Sequence, residues 1–437
     1  MKIEIAKQQF EVEFVDDTTK VTLEIHNDKP AFITFDTETD GLHIKKARPF
    51  LAAVCWNNKV RVFEPTFMNL KALSSWSVMV KRIFAHNATY DMHMVANVMG
   101  DAFVYSKKNW GDTMCLSRLA FEAISSRDGG DSLALKHISK KYIDPAADYY
   151  EKGVKSWLKA KADSDKKILI AMLKSVGWSL RRMQRALDGA EELPAEVVEV
   201  HNNWNRHYPK PTYKDVPQHI MIPYLAVDVV LTKILVDKAL PVVVERQQLT
   251  TMMREFDLIP VVFKMERRGI KVNREYLLEC KYKLEQYIQD LKVLSHQLAG
   301  VPFDVGQHKL IKSIYAERLG YEPKSTDKKF LAQQGREGDE LATVISKLRR
   351  MEKWLETYIE RILEASEYDG RFYTSMNQFN PISGRFSGDA QQFPKDRIVD
   401  ENGEELYHPR RAFVTTSDYL YFIDFSQIEL RVQAHYT

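Results

Sequence analysis

Asp36 and Glu38 stand two residues apart at the end of an apolar run, FITFDTETDG. Alternation along a strand sends both side chains to one face, and two hard oxygen donors there suit Mg²⁺ or Mn²⁺. A surface turn before Gly41 is the bland reading of that triplet. A second motif, HNATYD, follows a short β-rich run. Asn87 has the place of a helix N-cap, and Asp91 falls in the first turn, where its charge also complements the helix dipole. Capping alone suffices to explain both. The third piece is PYLAVDVVLT, in which Pro223 suits the first position of a helix and Tyr224 and Asp228, four apart, share a face. An amphipathic helix with one buried tyrosine has the same pattern. Each motif has a purely structural reading, but none of those readings explains their order: D-x-E on a strand, N-x-x-x-D at a strand–helix junction, Y-x-x-x-D on a later helix.

The elements that must carry these residues read as α/β over the first ~120 positions, with period-two strand patterns. Val21, Leu23 and Ile25 alternate with polar residues, and β-rich runs follow at 31–35, 50–56, 60–63 and 83–85. Tyr90, Met94, Val95 and Val98 then give a helical period, and helical patterns return from Leu133 to about Met183. A Pro-rich break at 207–217 leads into a strong helix predicted from Pro223 to about Leu240. Beyond Pro241 two apolar seams at three- and four-residue spacing predict a pair of antiparallel helices. One runs Leu277, Cys280, Leu284, Tyr287, Leu291, Leu294, Leu298; the other Leu341, Val344, Leu348, Met351, Leu355, Tyr358, Ile362. Gly300 ends the first of them. After Gly370 strands and turns return.

The chain has 437 residues, 44% hydrophobic and 28% charged, long enough for about three domains. No apolar run suggests a membrane span of ~20 residues, and the N-terminus has no signal-peptide core. Three scattered cysteines, Cys55, Cys115 and Cys280, fit neither a disulfide framework nor a zinc ribbon, which points to a reducing cytoplasm, that of a host if the chain is phage-encoded. A net charge of +3 does not announce a nucleic-acid binder, but ten Lys/Arg against three acids lie between Glu151 and Ala186. Such a stripe has the chemistry to follow phosphates, or it is a solvated helical face.

Taken together, the three acidic motifs resemble the DEDDy class of 3′→5′ exonucleases across roughly residues 28–245. WGDTMCLSRLAFE and SLALKHISKKYID resemble the stretch between that class's second and third motifs, with Asp112-Thr113 matching. The resemblance implies two Mg²⁺ or Mn²⁺ ions: Asp36, Glu38 and Asp228 would hold the ion that activates water, and Asp36 with Asp91 the other. Tyr224 would orient the attacking water, and Asn87 would lie on the bound strand.

The remainder resembles family A (polymerase I-like) DNA polymerases. FKMERRGIKVN looks like the entry to that family's thumb. MNQFNPISGRFSGDAQQFP resembles its TGR…LQNIP element, with Ser383, Gly384 and Arg385 in the Thr-Gly-Arg place and Gln391 opening the Gln-Asn-Ile-Pro place. Arg385 and Gln391 would then contact primer–template, and Arg411, in HPRRAF, would face the incoming nucleotide. The sharpest match, YLYFIDFSQIELRVQAHY, resembles the first palm motif. Residues 421–423 read as a buried strand delivering Asp424 as ligand to both polymerase metals. Gln427 belongs to the same motif, and Glu429 would be a steric gate against a ribose 2′-OH; Ser426 and Glu429 also have capping-box spacing.

The fold expected is an RNase H-like exonuclease domain, α/β with a mixed sheet flanked by helices, then a helical thumb-like arm and the start of an α+β palm. The boundaries are a β-rich extension at 1–27, the exonuclease at 28–245 with a basic helical insertion near 151–215, the arm at 246–370 and the palm at 371–437. Partners implied are primer–template and single-stranded 3′ ends, with dNTPs once the rest of palm and fingers is supplied, on this chain's continuation or on a second polymerase chain. The want of room for a 5′-nuclease domain looks phage-like. Two other readings stay open: a stand-alone exonuclease of the RNase D type, and a non-catalytic DNA-binding module.

Overall fold

A computed structural model describes the chain except residues 107–108, 122–131, 188–191, 380, 382–383, 418 and 420. It divides into two compact units, Met1–Arg267 with Met376–Ser387, and Arg268–Ser375 with Gly388–Thr437.

The first unit is built on a seven-stranded mixed sheet: β1 (Lys2–Ile5), β2 (Gln8–Phe14), β3 (Phe32–Thr39), β4 (Pro49–Trp56), β5 (Lys59–Phe63), β6 (Arg82–Ala85) and β7 (Trp110–Asp112), in the order β1-β2-β5-β4-β3-β6-β7. β3 lies antiparallel to β4, with Asp36 opposite Ala53 and Glu38 opposite Leu51, and parallel to β6. Both faces are covered, as the period-two split of β4 shows. Ala52, Val54 and Trp56 pack on one face, with α1 (Thr19–Asp28), α2 (Phe67–Met79) and α3 (Ala88–Met99). Leu51, Ala53 and Cys55 pack on the other. β1 and β2, expected in a separate extension, are strands of this same sheet, β2 pairing parallel with β5.

One segment expected as a strand is a helix. Val21 and Ile25 are buried four residues apart in α1, while Leu23 is 59% exposed. Apolar residues at 21, 23 and 25 satisfy both periods, and burial against α2 selects the helical one. After α4 (Asp101–Tyr105), α5 (Thr113–Phe121) and α6 (Leu135–Tyr142) come the long basic α7 (Tyr149–Ser175), α8 (Leu180–Leu187) and α9 (Ala195–His207), closed by a small core of their own around Leu173, Trp178 and Met183. α10 (Gln218–Glu245) starts five residues before the expected point, so Pro223 sits inside the helix and not at its first position. By length and composition α10 would reach across a bilayer, contrary to the expectation that no run would; most of its apolar residues are buried in the core of this unit. α11 (Leu249–Arg268) closes the unit.

In the second unit α12 (Arg274–Ala299) is stopped by Gly300 at φ 75°, and α13 (His308–Leu319) and α14 (Lys328–Arg336) lead to α15 (Glu340–Trp354). Lys281 pairs with Glu360 and Lys292 with Glu352, the descending order of antiparallel helices. A π-helical turn at Leu355–Glu360 shifts the second seam by one residue, so that Ile359 is buried where Tyr358 was expected. Val272, in the strand Ile270–Val272, pairs with Phe413 of the strand Phe413–Val414.

Candidate functional site: a carboxylate cavity

β3 delivers Asp36 and Glu38 to one side of the sheet, and α10 crosses that side because its apolar face covers β3 and β4. The Thr34 hydroxyl donates to the Val229 carbonyl at 2.8 Å and pins strand to helix one residue from Asp228. Ligand oxygens of Asp36, Glu38 and Asp228 consequently lie within 4.8 Å of one another. They line a cavity of about 470 Å³ together with Asn87, Asp91 and Tyr224, and with His86, Tyr90, Thr212 and Tyr213. Tyr224 and Asp228 share one face of α10, as their spacing predicts.

Asp91 is buried in the first turn of α3 and accepts a 2.7 Å hydrogen bond from the Thr37 hydroxyl, which sits between Asp36 and Glu38 on β3. Asn87 occupies the N-cap position, but in a left-handed conformation (φ 68°) and with no capping bond from its side chain. Asp112 caps the helix instead. Its carboxylate accepts from the backbone N–H groups of Asn87 (3.1 Å), Ala88 (2.9 Å) and Met114 (2.7 Å). Parallel pairing of β6 with β7 sets Asp112 opposite Ala85 and so beneath this helix start. Asp112→Ala is expected to destabilise the fold by about 2–3 kcal/mol, leaving buried N–H groups without an acceptor, as urea unfolding will measure.

Burial dominates the electrostatics. It pushes the Asp36 carboxyl up to about 7, against the pull of the Lys136 ammonium. Glu38 and Asp91 are raised well above the usual carboxylate range by burial and then by the charge of Asp36. The Tyr224 phenol is also driven up, chiefly by burial, and stays protonated. Burial pushes His86 down to about 4, so it is neutral; its Nε2–H donates to the Leu133 carbonyl at 2.8 Å.

Lys136 is a residue to which the sequence assigns no part. Carried on α6, its ammonium is paired with Asp228 Oδ1 and sits 5.0 Å from the Tyr224 ring centroid. Burial pushes it down to about 8, while Asp36, Glu151 and Glu38 hold its charge. Its helix carries Lys140 and Lys141 as well, so nothing in the local pattern singles Lys136 out. Only the packing of α6 beside α10 reveals it. The ammonium is a stand-in cation among carboxylates, and hard oxygen donors at this spacing fit Mg²⁺ or Mn²⁺.

The polymerase-like residues are placed otherwise. Residues 421–423 form no strand, with Tyr421, Phe422 and Ile423 exposed by 82, 89 and 93%, because no strand among the described residues pairs with them. Asp424 is exposed as well. The final helix, Ile428–Tyr436, begins after Gln427, itself left-handed at φ 56°; the capping box expected from Ser426 and Glu429 is not formed, since the cap position falls one residue later. Arg411 pairs with Glu405 at 2.8 Å, Gln391 lies in the short helix Asp389–Gln392, and Arg385 is exposed; Ser383 lies outside the described residues.

Comparison with known proteins finds a family match in the second half of the chain and a structural match over nearly all of it. Residues 274–437 match the model of DNA polymerase family A. DNA polymerase I of Chloroflexus aurantiacus is 29% identical over 259 residues, 56% of this chain and 27% of that protein. DNA polymerase I of Pseudomonas aeruginosa is 32% identical over 192 residues, 41% of this chain and 21% of that protein. These matches thus span only about a quarter of the relatives' length. A solved structure, the POL domain of Pol1 from M. smegmatis in complex with DNA primer-template and dNTP, superposes with a TM-score of 0.59 at 16% identity, over 97% of this chain and 62% of that one. Residues 274–437 thus carry the pattern of DNA polymerase family A, and the chain shares the fold of that solved POL domain.

Proposed function

We propose that the first unit is a 3′→5′ exonuclease of RNase H-like fold that removes nucleotides from DNA 3′ ends, serving as the proofreading part of a family A DNA polymerase. The observation that carries this reading is the meeting of Asp36, Glu38 and Asp228 within 4.8 Å, in a cavity that also holds Asp91 and Tyr224. Asp36, Glu38, Asp91 and Asp228 would hold divalent ions, which when bound supply Lewis acidity toward water and toward the scissile phosphate. The chain's own groups do the rest. Tyr224, kept protonated by burial, donates its O–H to orient the attacking water and is no nucleophile at neutral pH. Thr37 fixes the Asp91 carboxylate, and Asp112 fixes the turn that carries it. The site of the second unit, with Asp424 as metal ligand, Arg385 and Gln391 on primer–template, Arg411 and Gln427 toward the nucleotide and Glu429 as the gate against ribose, belongs to the DNA polymerase reading supported by the family match.

The test is a primer–template with a mismatched 3′ end, labelled at its 5′ end, incubated with Mg²⁺. Stepwise shortening from the 3′ end, stopped by EDTA, is the expected result. An intact primer, or digestion of RNA in preference to DNA, would count against the reading.

A further inference from the structure

We infer that one edge of α7 is a track for the phosphates of single-stranded DNA leading to the carboxylate cavity. The inference rests on the exonuclease reading above. At 100° per residue, Lys152, Lys155, Lys159 and Lys166 fall within about 60° of one another along one edge of the helix, all four exposed, bordering the side that buries Val154 and Leu169. They span ~21 Å at 1.5 Å per residue. Among the described residues Lys152 and Lys155 pair only with the i,i+4 carboxylates of Asp148 and Glu151, and their own side chains are 68 and 61% exposed, so the ammonium groups stay open to a phosphate. Lys159 and Lys166 have no acidic partner among the described residues.

The edge begins near the cavity wall, since Val154 and Trp157 of α7 belong to the same apolar cluster as Tyr213 and Tyr224. α7 packs on α10, and the segment that returns from α9 to α10 walls the cavity with Thr212 and Tyr213. A capping box fixes that return: the Thr212 N–H and hydroxyl both donate to Asp215, at 2.7 and 2.8 Å. Glu151 and Lys155 act electrostatically on the Tyr213 phenol, whose ring lies 6.1 Å from that of Tyr224. The lysine edge therefore starts beside the reacting end of the site and runs away from it, as a strand threaded into the cavity would. A face that is merely solvated has no reason to be continuous with the cavity wall.

The experiment uses the full chain carrying Lys159→Glu with Lys166→Glu, and a second variant carrying Lys159→Gln with Lys166→Gln in case charge reversal disturbs folding. Binding of a fluorescein-labelled oligothymidylate is read by anisotropy in EDTA across a salt series, and Mg²⁺-dependent hydrolysis is read on the same oligonucleotide and on the p-nitrophenyl ester of thymidine 5′-monophosphate, too short to reach α7. Oligonucleotide binding is expected to weaken by roughly tenfold at low salt, with the salt slope shallower by about 1.4, near 0.7 for each phosphate no longer neutralised, and with ester hydrolysis unchanged. Unchanged binding and slope would overturn the track, as would equal losses on the two substrates. If the unaltered chain hydrolyses neither substrate, the exonuclease reading fails, and the anisotropy series still decides the track by the same criterion.

Discussion

Asp36→Ala is expected to cut Mg²⁺-dependent shortening of a DNA 3′ end by about 10³-fold or more, roughly 4 kcal/mol of transition-state stabilisation. Asp36 is the carboxylate shared between the two expected ions, and its ligand oxygen lies within 4.8 Å of those of Glu38 and Asp228. Without it, the remaining acids face one another across the cavity with a ligand missing from the middle of the set. Loss of activity by unfolding is separable, because the metal-free protein already spends stability on burying this group. In EDTA at pH about 8 the variant is therefore expected to melt no lower than the unaltered chain. A variant that keeps its nuclease rate in Mg²⁺ would remove Asp36 from the site and the two-metal reading with it.

The second large effect is on stability against pH. Burial holds Asp36 up to about 7 and raises Glu38 and Asp91 well above the usual carboxylate range, whereas in an unfolded chain all three are ionised near neutrality. Above about pH 6.5, and until these carboxyls ionise in the folded state (Asp36 at about 7), the folded state binds protons that the unfolded state has released, so stability falls as pH rises, by up to about 1.4 kcal/mol per pH unit for each proton so held. His86, pushed down to about 4, contributes the opposite slope, but only below its ordinary value of 6.5. Lys136, pushed down to about 8, contributes a rising slope only above that pH. The window between them isolates the carboxylates. The melting temperature in EDTA is expected to drop by several degrees across it, and saturating Mg²⁺, which binds the ionised form, to flatten the drop. Equal slopes with and without Mg²⁺ would refute a metal-binding role for the cluster.

Which features were readable in the sequence follows from the range of the interaction behind each. Alternation on β3 puts Asp36 and Glu38 on one face, and four-residue spacing puts Tyr224 and Asp228 on one face of α10, because backbone periods act over a few residues. The same local rules misplace what neighbours decide. Residues 21–25 fit a strand or a helix, and only packing on α2 settled the matter. Asn87 has the composition of a cap, yet Asp112, arriving on β7 from 25 residues away, takes that work. The exposed run at 421–423 has the composition of a buried strand, but a strand needs a partner for its backbone groups, and composition does not supply one.

The sequence by itself therefore determined the kinds of ligand atom and their local pairing: hard carboxylate oxygens on a strand and on a helix, a phenol one turn from its acid, and a basic tract of open purpose. Tertiary structure alone decided that β3 and α10, about 190 residues apart, bring three of those acids within 4.8 Å. It also decided that Lys136 enters among them and that α7 packs on the helix that carries Tyr224 and Asp228. The physical reason is that both faces of the sheet must be covered: burying α10 on β3 and β4 sets the distance between carboxylates, and the same burial strips water from Asp36 and Glu38 and raises their proton affinity.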